Sequence, residues 1–324
     1  ILIGTHALLE DKVKYKNLGF VVIDEQHRFG VAQRAKMWKK NLKPPHVLVM
    51  TATPIPRTLG MTLYGDLDIS VIDELPPGRK SIKTIWKSES GRLVANGIIK
   101  TEIEKGRQVY IVYPLIKESE KLDYSNLMEG YENICRTFPN QNISIVHGQM
   151  KAEDKDFEMN RFIKKETQIM VATTVIEVGV NVPNASVMVI ESSERFGLSQ
   201  LHQLRGRVGR GAEQSYCILM SGQKISLEGQ ERLKTMVRTN DGFDIAEVDL
   251  KLRGPGDMMG TKQSGVIDLN IADIIKDNAI LQYARQIAIE ILDDDPKLEK
   301  SKNKTILREY NLKGNHQLEW SRIS

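Results

Sequence analysis

The sequence predicts an α/β fold, with two successive lobes built on parallel sheets and a mostly helical region after them. Three observations predict it. Short apolar runs recur along most of the chain and are continuous rather than alternating, the pattern of strands buried on both faces of a parallel sheet. Helical periodicities fill the gaps between these runs, and such alternation gives parallel crossovers. After about Ser221 the strand signals stop and helical patterns continue alone.

In chain order the strands are expected at Phe20–Ile23, Val47–Met50, Val109–Val112, Ile143–Val146, Ile169–Ala172, Val187–Ile190 and Tyr216–Leu219. Between them, Arg92–Lys105 places Leu93, Ile98, Ile99 and Ile103 roughly on one helical face and stops at Gly106. Leu127–Phe138 and Ala152–Lys164 fill similar slots. The string DELPPGR, Asp73 to Arg79, carries two prolines and a glycine, which end regular structure and mark a linker. Beyond Ser221, Asp244 is a good N-cap and Glu247 completes a capping-box pattern. That helix is expected to run to Leu252 and stop at Gly254-Pro255. A longer helix, Asn278 to Leu292, has Leu281, Ala284, Ala288, Ile291 and Leu292 on one face. From Asp293 the chain is charged, and Lys297–Lys304 reads as solvated loop. No internal repeat is evident.

Composition narrows the function classes. A chain of 324 residues is long enough for two domains and an appendage. The net charge of +4 fits an anionic partner without requiring one. Cys135 and Cys217 lie far apart with no CxxC pairing, which indicates neither a metal site nor a disulfide framework. No apolar run approaches the roughly 20 residues of a membrane span. With no signal peptide visible, the expected location is cytoplasmic. Ile1-Leu2-Ile3 reads as the end of a strand already under way, so the chain is expected to be a fragment.

Four strings bear on chemistry. DEQH, Asp24 to His27, follows the run Phe20–Ile23. A strand-end Asp can hold a phosphate-bound magnesium and the adjacent Glu can orient water; two acids on a surface turn read the same way. Thr51-Ala52-Thr53 follows the next run, where hydroxyls can bond those carboxylates or simply cap a helix. Thr173-Thr174 follows Ile169–Ala172, with Glu177, Gly179 and Asn181 beyond, and suits phosphate contact. QLRGRVGR, Gln203 to Arg210, spaces Arg205, Arg207 and Arg210 with glycines. Arginine stabilises charge on a transferring phosphoryl group; a basic loop on DNA phosphates is the alternative. The expectation is that each string sits at a strand end, and the order of the four points to a nucleotide-driven motor.

These strings resemble the superfamily-two helicases, and within them the RecG family of branched-DNA helicases. GTHALL (Gly4 to Leu9) looks like the DNA-contacting motif of the first lobe, DEQHRFG (Asp24 to Gly30) like motif II, and TATPIPRTL (Thr51 to Leu59) like motif III. VHGQM (Val146 to Met150) resembles the motif IV region, TTVIEVGVNVPNA (Thr173 to Ala185) motif V, and QLRGRVGRG (Gln203 to Gly211) motif VI. GFDIAEVDLKLRGPGDMMGTKQSG (Gly242 to Gly265) is similar to the translocation element shared with the transcription-repair coupling factor Mfd.

The resemblance implies a partial first RecA-like lobe with linker over residues 1–78, a complete second RecA-like lobe over 79–222, and a helical translocation region over 223–324. It implies ATP and magnesium as cofactors, with Asp24 on the metal and Glu25 positioning water. Gln203, Arg207 and Arg210 would be catalytic, Arg210 as the finger, and Gly179 and Asn181 would line the nucleotide. Gly4, Thr5, His6, Thr51, Thr53, His147, Gly148, Thr173, Thr174 and Arg253 would contact DNA or couple hydrolysis to movement. The implied partners are branched duplex DNA (forks and junctions) and single-stranded-DNA-binding protein; the implied state is a monomer away from membranes. Asn181 stands where the family usually has Asp, and Gln149 where a basic residue is expected. No GxGKT-type loop occurs in the sequence, and the family's wedge domain would precede residue 1. The implied activity of the parent is ATP-driven remodelling of branched DNA; the alternatives are an Mfd-like translocase and a non-catalytic DNA-binding module.

Overall fold

A computed structural model describes residues 1–25, 45–51, 70–72, 74, 76, 78–114, 120–173, 182–211, 213–253 and 277–314. The chain divides into two compact units, residues 1–71 with 255–324, and residues 72–254.

In the first unit, β1 (Phe20–Ile23) and β2 (His46–Val49) pair in parallel, from Phe20 opposite His46 to Ile23 opposite Val49. Val21 and Ile23 pack with Leu9, Leu18 and Val47. Burial along β1 alternates, and Phe20 and Val22 are exposed, where burial on both faces was expected. The apolar residues described around this pair gather on one face only. A 3-10 turn, His6–Leu9, leads in, and the Tyr15 hydroxyl fixes it by donating to the Leu8 carbonyl at 3.1 Å.

The second unit is a wound parallel sheet. Its elements are β3 (Lys83–Ser88), α1 (Arg92–Glu104), β4 (Gln108–Tyr113), α2 (Glu120–Thr137), β5 (Ile143–Val146) and α3 (Ala152–Ile163). After these come β6 (Ile169–Thr173), β7 (Ala185–Ile190), α4 (Leu198–Arg205), β8 (Tyr216–Ser221), α5 (Leu227–Arg238) and α6 (Gly242–Arg253). The strand order is β3-β8-β7-β4-β6-β5, parallel throughout. β6 and β7 are buried at every position and β4 at all but its last, as their unbroken apolar runs require.

Strand alternation divides the core in two. Tyr110 and Val112 of β4 face one side, with Leu198, Leu201 and Leu204 of α4, Leu233 and Met236 of α5 and Ile245 of α6. Val109 and Ile111 face the other, with Ala95 and Ile99 of α1 and Leu127 and Ile134 of α2. Helices α5 and α6 therefore close the same body as the sheet.

Three elements of this second unit had no expectation. β3 (KTIWKS) interleaves lysines with apolar residues because it is an edge strand, paired among the described residues to β8 alone and half-buried. α4 and α5 are short, with polar residues between their buried leucines. In α1 the buried residues are Ala95, Ile99 and Glu102, while Leu93 points to solvent. The N-cap of α6 is Asp241, whose Oδ1 accepts the Phe243 N–H at 2.7 Å; Asp244 instead accepts the Thr239 hydroxyl at 3.1 Å.

Two further helices belong to the first unit, α7 (Asn278–Asp294) and α8 (Lys304–Gly314). The stretch expected to be solvated loop, Lys297–Lys304, lies between them and is largely exposed, with a 3-10 turn at Ser301–Asn303 and Asn303 buried. Asp295 is buried and accepts the N–H groups of Glu299 and Lys300 and the Asn303 amide, and Asp294 pairs with Lys300 and Lys302. Carboxylates rather than apolar contacts order this turn, a signal that apolar periodicity does not carry.

The Phe162 ring is fully buried and tilts against Tyr110, with centroids 4.9 Å apart. Phe162→Ala is expected to cost about 3–5 kcal/mol, read as a lowered urea midpoint of the chain.

Candidate functional site

The arginine string is built on the end of α4. Leu198, Leu201 and Arg205 follow one another at spacings of three and four, so Arg205 falls on the inward face. It is 2% exposed. Its Nη1 donates to the carbonyls of Met236 at 3.0 Å and Thr239 at 2.9 Å, and to the Thr84 hydroxyl at 3.4 Å. Its Nη2 contacts His202 Nδ1 at 3.2 Å. Burial lowers the Arg205 pKa and pushes that of His202 down to about 4, so the neutral imidazole accepts from the guanidinium. Of the three arginines, Arg205 is thus committed to architecture.

Beyond it the helix stops. The Gly206 N–H still reaches the His202 carbonyl, and Val208 is fully buried as an anchor. Gly209 has φ of +74°, and an added Cβ would lie 2.8 Å from Ile82 Cγ1. Its carbonyl accepts from Arg79 Nε at 2.7 Å. Only glycine fits here, on conformation and on space. Gly209 packs against Ile82 and Ser215, the residues preceding β3 and β8. The string therefore lies at the amino edge of the sheet, on a helix end where a strand end was expected. The anchor leaves Arg207 half-buried and Arg210 exposed. Both act on Tyr110, whose hydroxyl is pushed up to about 12 by burial while the two cations pull it back. Gln203 lies half-buried in the last turn of α4.

Other expected residues emerge at the opposite, carboxyl edge. Thr173 ends β6; its Oγ1 is buried and has no hydrogen-bond partner among the described residues. His147 and Gly148 follow β5, where the Gly148 carbonyl accepts from Lys155 Nζ at 3.0 Å. Burial, with Lys155 nearby, lowers the His147 pKa. At the same edge Arg92 bridges Glu191, at 2.7 and 2.8 Å, and Glu89. Six-residue strands separate the two edges by about 20 Å.

In the first unit the acid pair follows β1 and Thr51 follows β2 by two residues. Parallel register brings both to one end of the strand pair. Asp24 Oδ1 accepts the Glu25 N–H at 2.9 Å, and Glu25 has a left-handed φ of 52°. Gly4 and Thr5 lead into the 3-10 turn, with the Leu8 side chain 3.0 Å from where a Gly4 Cβ would stand. His6 lies in that turn and Arg253 ends α6; their side chains fall outside the described residues, as do Thr53, Thr174, Gly179 and Asn181.

Among the described residues no group of three or more His, Cys, Asp or Glu is placed to hold a metal, and no helix is long and apolar enough to cross a membrane. The donor types suit magnesium nucleotide nonetheless: a strand-tip carboxylate is a hard oxygen ligand, and paired guanidinium groups match phosphate oxygens.

Comparison with known proteins adds sequence-wide similarity. Residues 1–62 match the DEAD/DEAH box helicase family, residues 92–212 the helicase conserved C-terminal domain, and residues 239–324 the family "ATP-dependent DNA helicase RecG, domain 3, C-terminal". The ATP-dependent DNA helicase RecG of Synechocystis is 54% identical over 300 residues, 92% of this chain and 36% of the relative. That of Bacillus subtilis is 51% identical over 298 residues, 91% of this chain and 43% of the relative. The chain thus spans well under half the length of these two. A structure of RecG bound to a three-way DNA junction superposes with a TM-score of 0.65 at 45% identity, covering 86% of this chain and 36% of that one. The helicase MrfA bound to DNA and AMPPNP, at 16% identity and a TM-score of 0.50, covers 83% of this chain and 40% of its own, and shares the fold.

Arg205→Ala strands buried carbonyls and is expected to cost about 3 kcal/mol, whereas Arg210→Ala stays within about 0.5 kcal/mol; urea unfolding separates the two. His202 gives a pH signature. Its folded pKa is depressed, so protons favour the unfolded chain. Its contribution is complete above about pH 6.5 and is lost as pH falls through 4, by about 3 kcal/mol in all. In His202→Gln, stability measured between pH 6.5 and 4 is expected to fall less steeply than in the parent.

Proposed function

We propose that this chain, similar over nine-tenths of its length to ATP-dependent DNA helicases RecG, forms the hydrolysis-sensing and DNA-gripping part of an ATP-driven translocase that remodels branched DNA. The observation that carries this reading is the placing of two kinds of residue on opposite edges of one sheet. Arg207 and Arg210 stand at the amino edge, next to the rigid Gly209 turn. Thr173, His147 and Gly148 stand at the carboxyl edge. Nucleotide phosphates belong to the first edge and DNA phosphates to the second. ATP supplies the phosphoryl group whose departing charge needs stabilising.

The chain's own residues supply the rest. Arg210, exposed and with its Nε on the Gly206 carbonyl at 3.4 Å, offers the finger; Arg207 holds phosphate beside it, with Gln203 a supporting polar contact. Asp24 would hold the magnesium that travels with the nucleotide, Glu25 would position water, and Gly179 and Asn181 would line the nucleotide. Thr51 and Thr53 sense the nucleotide state. Gly4, Thr5, His6 and Thr174 extend the DNA contacts, and Arg253 carries motion beyond α6. We read residues 1–78, 79–222 and 223–324 as first lobe, second lobe and translocation region, the last beginning with α5 and α6, which pack on the second lobe's core. The partners are forks and junctions, with single-stranded-DNA-binding protein alongside, met by a cytoplasmic monomer.

In protein of the relatives' full length, Arg210→Ala is expected to leave DNA affinity within about twofold and to lower ATP turnover by about a thousandfold. Unchanged turnover would overturn the assignment. The 324-residue chain has no glycine-rich loop ending in Gly-Lys. By itself it is expected to bind forked DNA with a steep salt dependence and to show no hydrolysis above background.

A further inference from the structure

At the far end of the same carboxyl edge lies a cavity of 690 Å³ that none of these roles uses. Trp86 and Ser88 of β3, Ser221 at the end of β8, and Lys224, Ser226 and Gln230 line it. Such a volume accommodates a nucleotide-sized ligand. The Trp86 indole N–H donates to Ser221 Oγ at 2.9 Å, and its ring packs against the core, so the aromatic wall is held in one orientation. The Gln230 amide is fixed on the Ile225 carbonyl at 3.3 Å, and the Ser226 hydroxyl caps α5 by accepting the Gly229 N–H at 3.0 Å. Among the described residues, every other polar group on the wall is a hydroxyl, an amide or backbone, the one charged residue is Lys224, and no carboxylate lines it. Acids adjoining the lining residues in the chain are engaged: Glu89 with Arg92, Glu194 with the Gly222 N–H at 3.4 Å and Glu228 with Arg232 at 3.7 Å.

We propose that this cavity receives one unstacked nucleotide of a DNA strand, its base against Trp86 and its phosphate near Lys224. The proposal rests on the reading of this edge as a DNA surface and extends it. A fixed ring is a stacking platform for any base. A wall with one cation and no acid matches a backbone carrying one negative charge per nucleotide. Placement agrees: β3 and β5 are the two edge strands, and five strand spacings separate them, about 24 Å. DNA entering over His147 and Gly148 crosses about seven base-pair rises before it reaches Trp86. The cavity is then where a strand leaving the duplex parks its first free base.

The test compares binding of the full chain to a blunt duplex and to the same duplex with a single-stranded arm carrying 2-aminopurine at its first unpaired position. Trp86→Ala is expected to weaken binding of the armed DNA about tenfold and to leave the blunt duplex unchanged. Trp86→Phe retains most of the affinity and controls for folding. Lys224→Gln lowers the salt slope on armed DNA by about one. Quenching of 2-aminopurine appears with the parent and disappears with Trp86→Ala. Equal loss on both DNAs, or loss on neither, overturns the pocket assignment while the DNA reading stands. If the parent chain binds neither DNA, the wider reading fails and takes this one with it.

Discussion

Everything at the amino edge depends on one buried cation. The Arg205 guanidinium ties the last turn of α4 to the Met236 and Thr239 carbonyls and to Thr84 of β3. Those groups come from a helix, the turn before the next helix, and an edge strand. A buried charge is costly unless it is surrounded by acceptors, and the folded chain provides carbonyls and a neutral imidazole in the right places. The position of Gly206 follows from this anchor, and the positions of Arg207 and Arg210 follow from Gly206. Two arginines can be offered to a ligand because the third is not.

Much of the fold is legible in the sequence because its signal is local. β1, β5 and the starts of β6 and β8 coincide with continuous apolar runs, and α1 and α3 end within a residue of their expected limits. What escaped depends on neighbours. β3 is legible only once β8 is known to flank it, since KTIWKS mixes lysines with apolar residues. The turn around Asp295 is held by carboxylates, which no apolar pattern announces.

The candidate site divides the same way. That Thr173 ends a strand and His147 follows one is plain from the sequence, because strand ends are. Which arginine of QLRGRVGR turns inward depends on helical phase. Leu198, Leu201 and Arg205 fall on one face at spacings of three and four, so a helical reading of that segment would have found Arg205. A reading of it as a glycine-spaced loop could not. The need for glycine at position 209 was not readable either, since it arises from Ile82, over 120 residues earlier.

The pairing of β3 with β8 has a consequence for synthesis. β3 is the first strand of its unit to be made, yet its partner starts about 130 residues later, from Lys83 opposite Tyr216. At roughly 5–20 residues per second, β3 waits about 7–27 s with both edges open. The lysines at 83 and 87 sit on that waiting strand. Lysine on an open strand edge opposes pairing with another chain, and here the same two residues remain compatible with the partner that completes the sheet.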